Sequence, residues 1–314
     1  MPFRLILPLA LLAAALFTAP AQAAYRVGLS EQHASLFFDA RWQALELQRV
    51  RYLVPWDWDR EGYQVGEIDA YMNAAHANGQ EVLVTFNAAR GCWNGSSYSS
   101  SEHCKPPTKS EYLAAFRRFD DRYPWVQVYA PWNEMNHPSQ PTAKSPKRAA
   151  KYYNALRGVR RARGFKLMAA DLLDTSNMIR YVKKFRRAAK GSPKLWGLHN
   201  YQDINYRTTR DTKRLLKTVR GQVWLTETGG LVAFGSAWQY NERRAKKRAK
   251  FLFSFAGAYD SRRAGMRSKI TRVYYYKWYG EERGARFDAG LVSKDGTDPR
   301  KAFPVFEKFA RAHR

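Results

Sequence analysis

Eight short runs rich in β-branched and aromatic residues recur along the chain, and each is followed by a stretch with helical periodicity. This alternation predicts parallel strands, because a strand that is reached through a helix re-enters the sheet in the same direction as the strand before it. The order of elements is therefore a βα unit repeated eight times. The runs span residues 25–30, 50–56, 81–87, 126–133, 166–172, 195–201, 223–228 and 272–278.

Eight βα units can close into a (β/α)8 TIM barrel, which typically needs about 250 residues, or form an open doubly wound sheet. The open sheet would require a glycine-rich phosphate turn after the first strand, and residues 28–32 contain no G-x-G-x-x-G pattern. The chain also has no Walker motif, no internal repeat and no long linker. We therefore predict an α/β fold in which residues 24–314 form a single (β/α)8 barrel.

Three sequence signals predict where helices begin or end. Thr108 and Glu111 have the spacing of a capping box, and Ser145 precedes Pro146 as an N-cap precedes a first-turn proline. Gly79 follows an alanine-rich stretch and is expected to close that helix.

The first 23 residues have the pattern of a secretory signal. Arg4 supplies the positive charge, residues 5–17 are apolar, and Ala21 and Ala23 provide a small-residue cleavage site. The alternative is an uncleaved membrane anchor, but the apolar run is shorter than the roughly 20 residues that a span needs. We predict a secreted protein, extracellular or in the periplasm or cell envelope, whose mature domain begins at Ala24.

Cys92 and Cys104 are the only cysteines. An even number of cysteines in an exported chain predicts a disulfide, here closing a polar loop. A metal site would need more ligands than two thiols and the nearby His103 supply. We therefore expect a Cys92–Cys104 disulfide and no metal.

Two glutamates follow apolar strands without solvating neighbours. Glu134 comes after the fourth run and Glu227 ends the seventh, which places them three strands apart around an eight-stranded ring. Both can face the mouth at the C-terminal ends of the strands, where barrels of this kind carry their chemistry. A structural ion pair would explain either glutamate alone, because an unpaired ionised carboxylate in such a place costs several kcal/mol. The pair points to a shared function.

Glycosidic bond cleavage requires two facing carboxyl groups, one to protonate the leaving oxygen and one to attack the anomeric carbon or position water there. A separation of about 5–5.5 Å gives retention of configuration, and about 6.5–9.5 Å gives inversion. The acid needs a raised pKa, which burial beside Trp132 would favour.

These segments resemble the clan A glycoside hydrolases, which are retaining (β/α)8-barrel enzymes. The resemblance rests on Asn133 with Glu134 after the fourth strand, on Glu227 at the end of the seventh, and on residues 198–201 of the sixth. It implies that Glu134 is the acid/base, that Glu227 is the nucleophile, and that Asn133 hydrogen-bonds the sugar 2-hydroxyl. It leaves open whether the substrate is a glucan, mannan, xyloside or exported biofilm polysaccharide.

The same resemblance implies roles for residues on other strands. Arg51 would lie near the nucleophile, Tyr201 or His199 would orient it, and Trp278 would form the floor of a sugar subsite. Flat sugar faces pack on aromatic rings, so tryptophans near strand ends are further candidates for substrate contact. These are Trp56, Trp58, Trp93, Trp132, Trp238 and Trp278.

Other function classes remain to be separated from a glycosidase. A catalytically silent carbohydrate-binding barrel would use the same aromatic cleft and adhere to anionic cell-surface glycans, but it would not need both glutamates. A lyase acting on acidic glycans is a weaker alternative. A metal-dependent barrel hydrolase would need a His/Asp cluster, which six scattered histidines do not supply. We expect no cofactor and a monomeric protein.

The formal net charge of +27 is unevenly distributed. Residues 24–130 hold 11 Lys+Arg and 13 Asp+Glu, whereas residues 131–314 hold 42 and 14. Most of these cations lie in helix-like stretches, which form the outer ring of a barrel. They keep the surface solvated or attach the protein to an anionic wall or matrix polymer. A nucleic-acid partner is not expected, because no nucleic-acid motif accompanies the charge.

Overall fold

The computed structural model describes residues 25–261 and 263–314. The predicted signal segment, residues 1–23, lies outside the described residues. Within the described ranges, no helix has the length and apolarity needed to cross a bilayer.

The strands of the described residues form one large parallel sheet and one small antiparallel ribbon. The large sheet has the order β5-β4-β3-β2-β1-β10-β8-β7-β6, and the ribbon pairs β9 with β11. The strands are β1 Arg26–Ser30, β2 Arg49–Pro55, β3 Glu81–Asn87, β4 Val128–Ala130, β5 Lys166–Leu167, β6 Asp171–Leu173, β7 Leu195–His199, β8 Gly221–Thr228, β9 Ala233–Phe234, β10 Ser268–Tyr276 and β11 Phe287–Asp288.

The sheet closes through its fifth strand, which is interrupted. The two end strands of the sheet order, β5 and β6, are separated in the chain by residues 168–170 only. The Met168 N–H donates to the Tyr129 carbonyl on β4 at 2.9 Å, and the Ala169 N–H donates to the Leu195 carbonyl on β7 at 2.8 Å. Because successive N–H groups of a strand point to opposite sides, residues 166–173 bridge both neighbours. The prediction of a (β/α)8 barrel is confirmed.

The helices follow the barrel strands and cover the outside of the sheet, as the alternating pattern predicts. The capping box at Thr108, the N-cap at Ser145 before Pro146, and the end of the second helix next to Gly79 are all confirmed. The α-helices are α1 Ala40–Leu45, α2 Gly62–Ala77, α3 Lys109–Arg122, α4 Pro146–Arg163, α5 Met178–Ala188, α6 Tyr201–Tyr206, α7 Arg210–Thr218, α8 Glu242–Ala258 and α9 Phe303–Ala312.

The barrel interior is filled by a compact apolar layer. Leu83, Val128, Met168, Trp224 and Tyr274 form this layer from alternate positions on different strands. Gly28 makes room for it, because a Cβ there would lie 3.0 Å from the Tyr274 ring and 2.6 Å from a β2 carbonyl oxygen. The filled interior leaves the strand ends as the place where polar side chains can gather.

Candidate active site

Glu134 lies in a tight turn beyond β4, four residues after the end of the strand. Its φ of 37° is in the left-handed region, which is rare for a residue other than glycine. The Asn133 N–H donates to the Phe86 carbonyl at 2.7 Å, and the Met135 N–H donates to the Asp171 carbonyl at 2.9 Å. These two bonds, one on each side of Glu134, hold the unusual backbone in place. Such strain in a native protein is characteristic of functional sites.

Glu227 reaches the barrel mouth because β8 contains a β-bulge. Leu198 pairs with Leu225 and His199 with Glu227, so Thr226 is an extra residue in the strand. Strict alternation would point the side chains of 226 and 227 to opposite faces. The bulge changes the direction of one side chain, so that Thr226 and Glu227 both contact polar groups at the mouth.

The two glutamates face each other. One carboxylate oxygen of Glu134, one of Glu227 and Nδ1 of His199 all lie within 4.8 Å of one another. Both carboxylates retain some exposure, 17% and 12% of the side chain, whereas the His199 imidazole is fully buried. The expected juxtaposition is therefore present, and the oxygens can reach one substrate atom from two sides.

Arg51 links the strands beneath the glutamates. Its fully buried guanidinium donates through Nη1 to Glu227 Oε2 at 2.9 Å, and through Nη2 to Asp171 Oδ2 at 2.9 Å and Asn133 Oδ1 at 2.7 Å. Burial alone would lower the pKa of Arg51, but the Asp171 and Glu227 carboxylates raise it. These ionic contacts join four barrel strands, because their members Arg51, Asp171, His199 and Glu227 lie on β2, β6, β7 and β8.

Asp171 is the site residue that the sequence patterns do not single out. It is fully buried at the start of β6, and Thr226 donates its hydroxyl to the carboxylate. Burial would raise the pKa of Asp171, but the charges of His199 and Arg51 lower it to about 2. A carboxylate inside an apolar run was the available signal, since such a group is costly without partners.

His199 lies between the carboxylates. Nδ1 is 3.0 Å from Glu134 Oε1 and 3.7 Å from Glu227 Oε2, and Nε2 is 3.3 Å from Asp171 Oδ1. Burial would lower the pKa of His199, but the Asp171 and Glu227 carboxylates raise it to about 10. At neutral pH the imidazole is therefore a cation that donates a hydrogen bond to Glu134.

The pKa of Glu134 differs from the sequence-based expectation. Burial favours a raised pKa, as expected for an acid, but the hydrogen bond and charge of His199 outweigh it, and the pKa is lowered. His137, 3.8 Å away, acts in the same direction. The free protein therefore holds Glu134 as a carboxylate.

Tyr201 and Asn133 complete the polar contacts. The Tyr201 hydroxyl donates to Glu227 Oε1 at 3.2 Å, so the phenol contacts the oxygen that Arg51 does not. Asn133 lines the cleft while its amide oxygen accepts from Arg51. Both side chains therefore lie within the network that holds the two glutamates. Tyr276, which ends β10 and lies near Glu227, is a further residue that the sequence analysis missed.

Two tryptophans expected at the sugar-binding face lie in the core instead. Trp278 is fully buried, donates Nε1–H to Asp39 and packs against Phe303. Trp132 is also fully buried, donates to Gln140 and stacks on Tyr152. Neither ring has surface left for a sugar, so these expectations are wrong. Trp58 is likewise a core residue, whereas Trp56, Trp93 and Trp238 are only partly buried.

A cleft of about 740 Å³ opens beside Glu134. Its lining comes from β2, the end of β3, α2 and the segments that follow β1, β3 and β4, and it includes His33, Tyr52, Asn87 and Trp93. The expected Cys92–Cys104 disulfide is present, with a Cα–Cα distance of 5.5 Å, and its loop forms one wall. Within this loop the Tyr98 hydroxyl donates to the Cys104 carbonyl at 2.9 Å. The covalent closure therefore shapes the cleft.

The donor atoms of Glu134, His199 and Glu227 are close enough to hold a metal ion. The chemistry of the set does not fit one, because metal binding requires a neutral imidazole and the pKa of His199 is raised to about 10. The Arg51 cation already contacts Glu227 at 2.9 Å. The arrangement is that of an ion-pair network.

We expect the thermal stability of the protein to depend on pH through His199. Its folded pKa of about 10 lies above the ordinary 6.5, so its contribution is complete below pH 6.5 and is lost as the pH rises through about 10. His199→Gln should therefore flatten the fall in Tm between pH 7 and pH 10, measured by calorimetry. His76→Gln, at an exposed histidine on α2, is the control. An unchanged slope in His199→Gln would contradict the prediction.

Comparisons with solved structures show the same fold. A GH39 enzyme from Xanthomonas axonopodis pv. citri aligns with a TM-score of 0.61 and 12% identity, covering 93% of this chain and 67% of that one. A glucosidase from Croceicoccus marinus aligns with a TM-score of 0.62 and 13% identity, and the alignment covers 93% of this chain and 67% of the glucosidase. A structure of fungal β-1,4-galactanases aligns with a TM-score of 0.60 and 12% identity, and the alignment covers 90% of this chain and 99% of the galactanase.

At these identities the structural matches establish the fold alone. A search of curated proteins found no match. The family model for the glycosyl hydrolase catalytic core matches residues 107–306, which is well over half of the chain and includes both glutamates. The protein therefore belongs to the glycosyl hydrolase catalytic core family, in agreement with the resemblance to clan A glycoside hydrolases.

Proposed function

We propose that the protein is a retaining glycoside hydrolase that cleaves O-glycosidic bonds of a poly- or oligosaccharide. The observation that carries this proposal is the approach of the Glu134 and Glu227 carboxylate oxygens to within 4.8 Å. Such spacing suits retention, which uses carboxyl groups about 5–5.5 Å apart, and leaves little room for the water that an inverting enzyme places between them.

In the first step, ionised Glu227 attacks the anomeric carbon while the bond to the leaving oxygen breaks. Arg51 and Tyr201 each contact one Glu227 oxygen, which supports this role, since both stabilise a carboxylate. Glu134 gives its proton to the leaving oxygen, and a covalent glycosyl-enzyme results. In the second step, Glu134 takes a proton from water, the water oxygen attacks the anomeric carbon, and Glu227 is released.

The lowered pKa of Glu134 favours the second step, in which Glu134 must be a base. The first step needs Glu134 protonated. A bound sugar excludes water from the cleft and strengthens the desolvation that opposes the ionised form, so the pKa of Glu134 rises in the complex. The same residue thus serves as acid with the sugar bound and as base once the leaving group has departed.

The stereochemistry of the product tests this proposal. We expect the first-formed hemiacetal to have the anomeric configuration of the substrate, followed in real time by proton NMR on a glycoside panel of glucans, mannans, xylans and galactans. Product of the opposite configuration would contradict the retaining mechanism. Release of unsaturated sugars would indicate a lyase.

We also propose export through residues 1–23 and attachment to an anionic wall or matrix polymer. Supporting the second point, α8 and the segment before α9 form a groove of about 550 Å³ lined only by cations. Side chains of one sign raise the local concentration of a polyanion in a salt-dependent way. The groove is lined by Arg243, Lys246, Lys247, Lys250 and Lys301.

A further inference from the structure

Three aromatic side chains form an exposed platform on the side of the mouth that carries Glu227. Tyr206 ends α6, and Phe234 and Trp238 belong to the segment of β9 that follows the Glu227 strand. Tyr206 is 56% exposed and Phe234 is 46% exposed, which is unusual for such large apolar groups. The ring of Trp238 is partly exposed and lies 5.0 Å from that of Tyr206 and 6.2 Å from that of Phe234, with the ring planes tilted by 52° and 56°.

The platform is joined to the nucleophile by successive ring contacts. Tyr201, which donates to Glu227, lies 5.5 Å from the Phe287 ring, and Phe287 lies 6.1 Å from Phe234. Tyr201 and Tyr206 are the two ends of α6, so they are separated by roughly 7.5 Å along its axis. This span is within reach of a short oligosaccharide bound at Glu227.

The position of the platform is fixed by Asn205. Its side-chain amide donates to the Gly229 carbonyl at 3.0 Å, and its amide oxygen accepts from the Leu231 N–H at 2.9 Å. Asn205 is buried, so α6 is tied to the segment directly after Glu227. A rigid aromatic surface loses little conformational entropy when a ligand binds.

One arginine contacts the platform, and two more lie close by, near enough to each other for their charges to interact. The Arg244 guanidinium lies 5.4 Å above the Trp238 ring, Arg207 follows Tyr206 and is exposed, and Arg248 lies one turn after Arg244 on α8. Arg244 Nη2 donates to the Val232 and Gln239 carbonyls at 2.8 Å and 2.7 Å, which holds this guanidinium beside the Trp238 ring. Across residues 25–261 and 263–314, none of the three forms an ion pair with a carboxylate.

This combination matches one chemical class of ligand. A pyranose ring offers a flat C–H face to aromatic rings, and a carboxylate offers two oxygens to the planar fork of a guanidinium. Neutral sugars would leave the arginines without counter-charge. A uronic acid residue satisfies both the rings and the cations.

We propose that Tyr206, Phe234 and Trp238, together with Arg207, Arg244 and Arg248, form a subsite for a uronic acid residue of the polysaccharide chain. This proposal rests on the proposed glycosidase function. The 740 Å³ cleft lies on the Glu134 side and the platform on the Glu227 side, so one chain contacts both sides of the bond that is cleaved. The enzyme therefore attacks within an anionic polysaccharide chain rather than at its end.

Binding to catalytically blocked protein tests the subsite. In a Glu134→Gln background, calorimetry would compare tetragalacturonate and tetramannuronate with cellotetraose and mannotetraose. We expect Tyr206→Ala/Phe234→Ala to weaken uronate binding about tenfold, since each stacked ring contributes roughly 0.5–1.5 kcal/mol. Arg207→Gln/Arg248→Gln should give a similar loss for uronates alone, and the loss should shrink at high salt.

Two matched controls separate the subsite from general effects. Phe38→Ala removes a ring that is 74% exposed and lies outside the platform. Lys183→Gln/Lys184→Gln removes two exposed cations on α5. Both control variants should bind the uronates like the parent, and circular dichroism should show that every variant is folded.

The possible failures are distinguishable. If uronates bind and the platform variants lose that binding while the wild-type protein hydrolyses no glycan, the subsite stands and the glycosidase proposal falls. If neutral glycans are hydrolysed but the parent binds no uronate, or the platform variants bind as tightly as the parent, the subsite is overturned. A platform-dependent affinity for single-stranded DNA without uronate binding would overturn it as well.

Discussion

Replacement of Glu227 by glutamine is expected to lower kcat by about 10⁵-fold or more, the scale observed when a covalent nucleophile is removed. Glutamine keeps the shape of the side chain but cannot attack the anomeric carbon. Initial rates on an aryl glycoside or the best polysaccharide of the panel would measure the effect. Glu307→Gln on α9, which removes a partly exposed carboxylate paired with Arg311 and remote from the mouth in sequence, is the matched control and should retain full activity.

The two glutamates should respond differently to truncation. Glu134→Ala is expected to lower kcat by about 10²–10⁴-fold, the range of general acid–base catalysis. The loss of kcat should be smallest for a substrate whose leaving group needs no proton. Added azide should then rescue Glu134→Ala with a glycosyl azide of retained configuration, and Glu227→Ala with one of inverted configuration. Equal, small losses in both variants would reject the assignment of these residues, and reversed azide products would exchange their roles.

The second large effect concerns stability. Arg51→Met is expected to lower the free energy of unfolding by about 3–5 kcal/mol, because it leaves the carboxylates of Asp171 and Glu227 with the His199 imidazole as their remaining shared cation. Urea denaturation followed by tryptophan fluorescence would measure the loss. Arg118→Met is the matched control, since its partner Asp59 forms an exposed ion pair, for which about 0–1 kcal/mol is expected.

Removing the opposing charge should restore part of the loss. Arg51→Met/Asp171→Asn is expected to be more stable than Arg51→Met alone, since the double variant no longer buries an Asp171 carboxylate that has lost its guanidinium partner. Activity should stay low in the double variant, because Glu227 still lacks its guanidinium contact. If the loss in free energy of unfolding of the double variant equals the sum of the losses of the two single variants, Arg51 and Asp171 do not act through their ion pair.

The site could be predicted from the sequence where a residue type at a strand end carries the chemistry. Glu134 and Glu227 meet at the mouth, because parallel strands end at one edge. Arg51, His199 and Tyr201 are expected near them only from the resemblance to clan A glycoside hydrolases, and each contacts one of the two glutamates. Asp171 was not predicted, because the sequence around a single acidic residue in an apolar run does not show which residue it pairs with. Arg51 and Asp171 are far apart in sequence but 2.9 Å apart in space.

The tryptophans show where composition misleads. Trp132 and Trp278 lie at the ends of predicted strands, as a sugar-binding residue would, yet both rings are buried in the core. A tryptophan beyond a strand end is directed by the local turn, and turn geometry depends on contacts from other elements. The aromatic surface that is exposed instead, at Tyr206, Phe234 and Trp238, comes from α6 and the β9 ribbon, which the strand pattern does not describe.

The sequence by itself determined the eight βα units, the barrel, the disulfide and the two facing glutamates. Each of these depends on local periodicity, on the parity of cysteines, or on the shared edge of a parallel sheet. Only the tertiary structure decided the bulge that turns Glu227 to the mouth, the charge of His199, the lowered pKa of Glu134 and the platform beside the nucleophile. The physical reason is that electrostatics and side-chain direction at the mouth depend on distances between strands, and a linear pattern does not contain those distances.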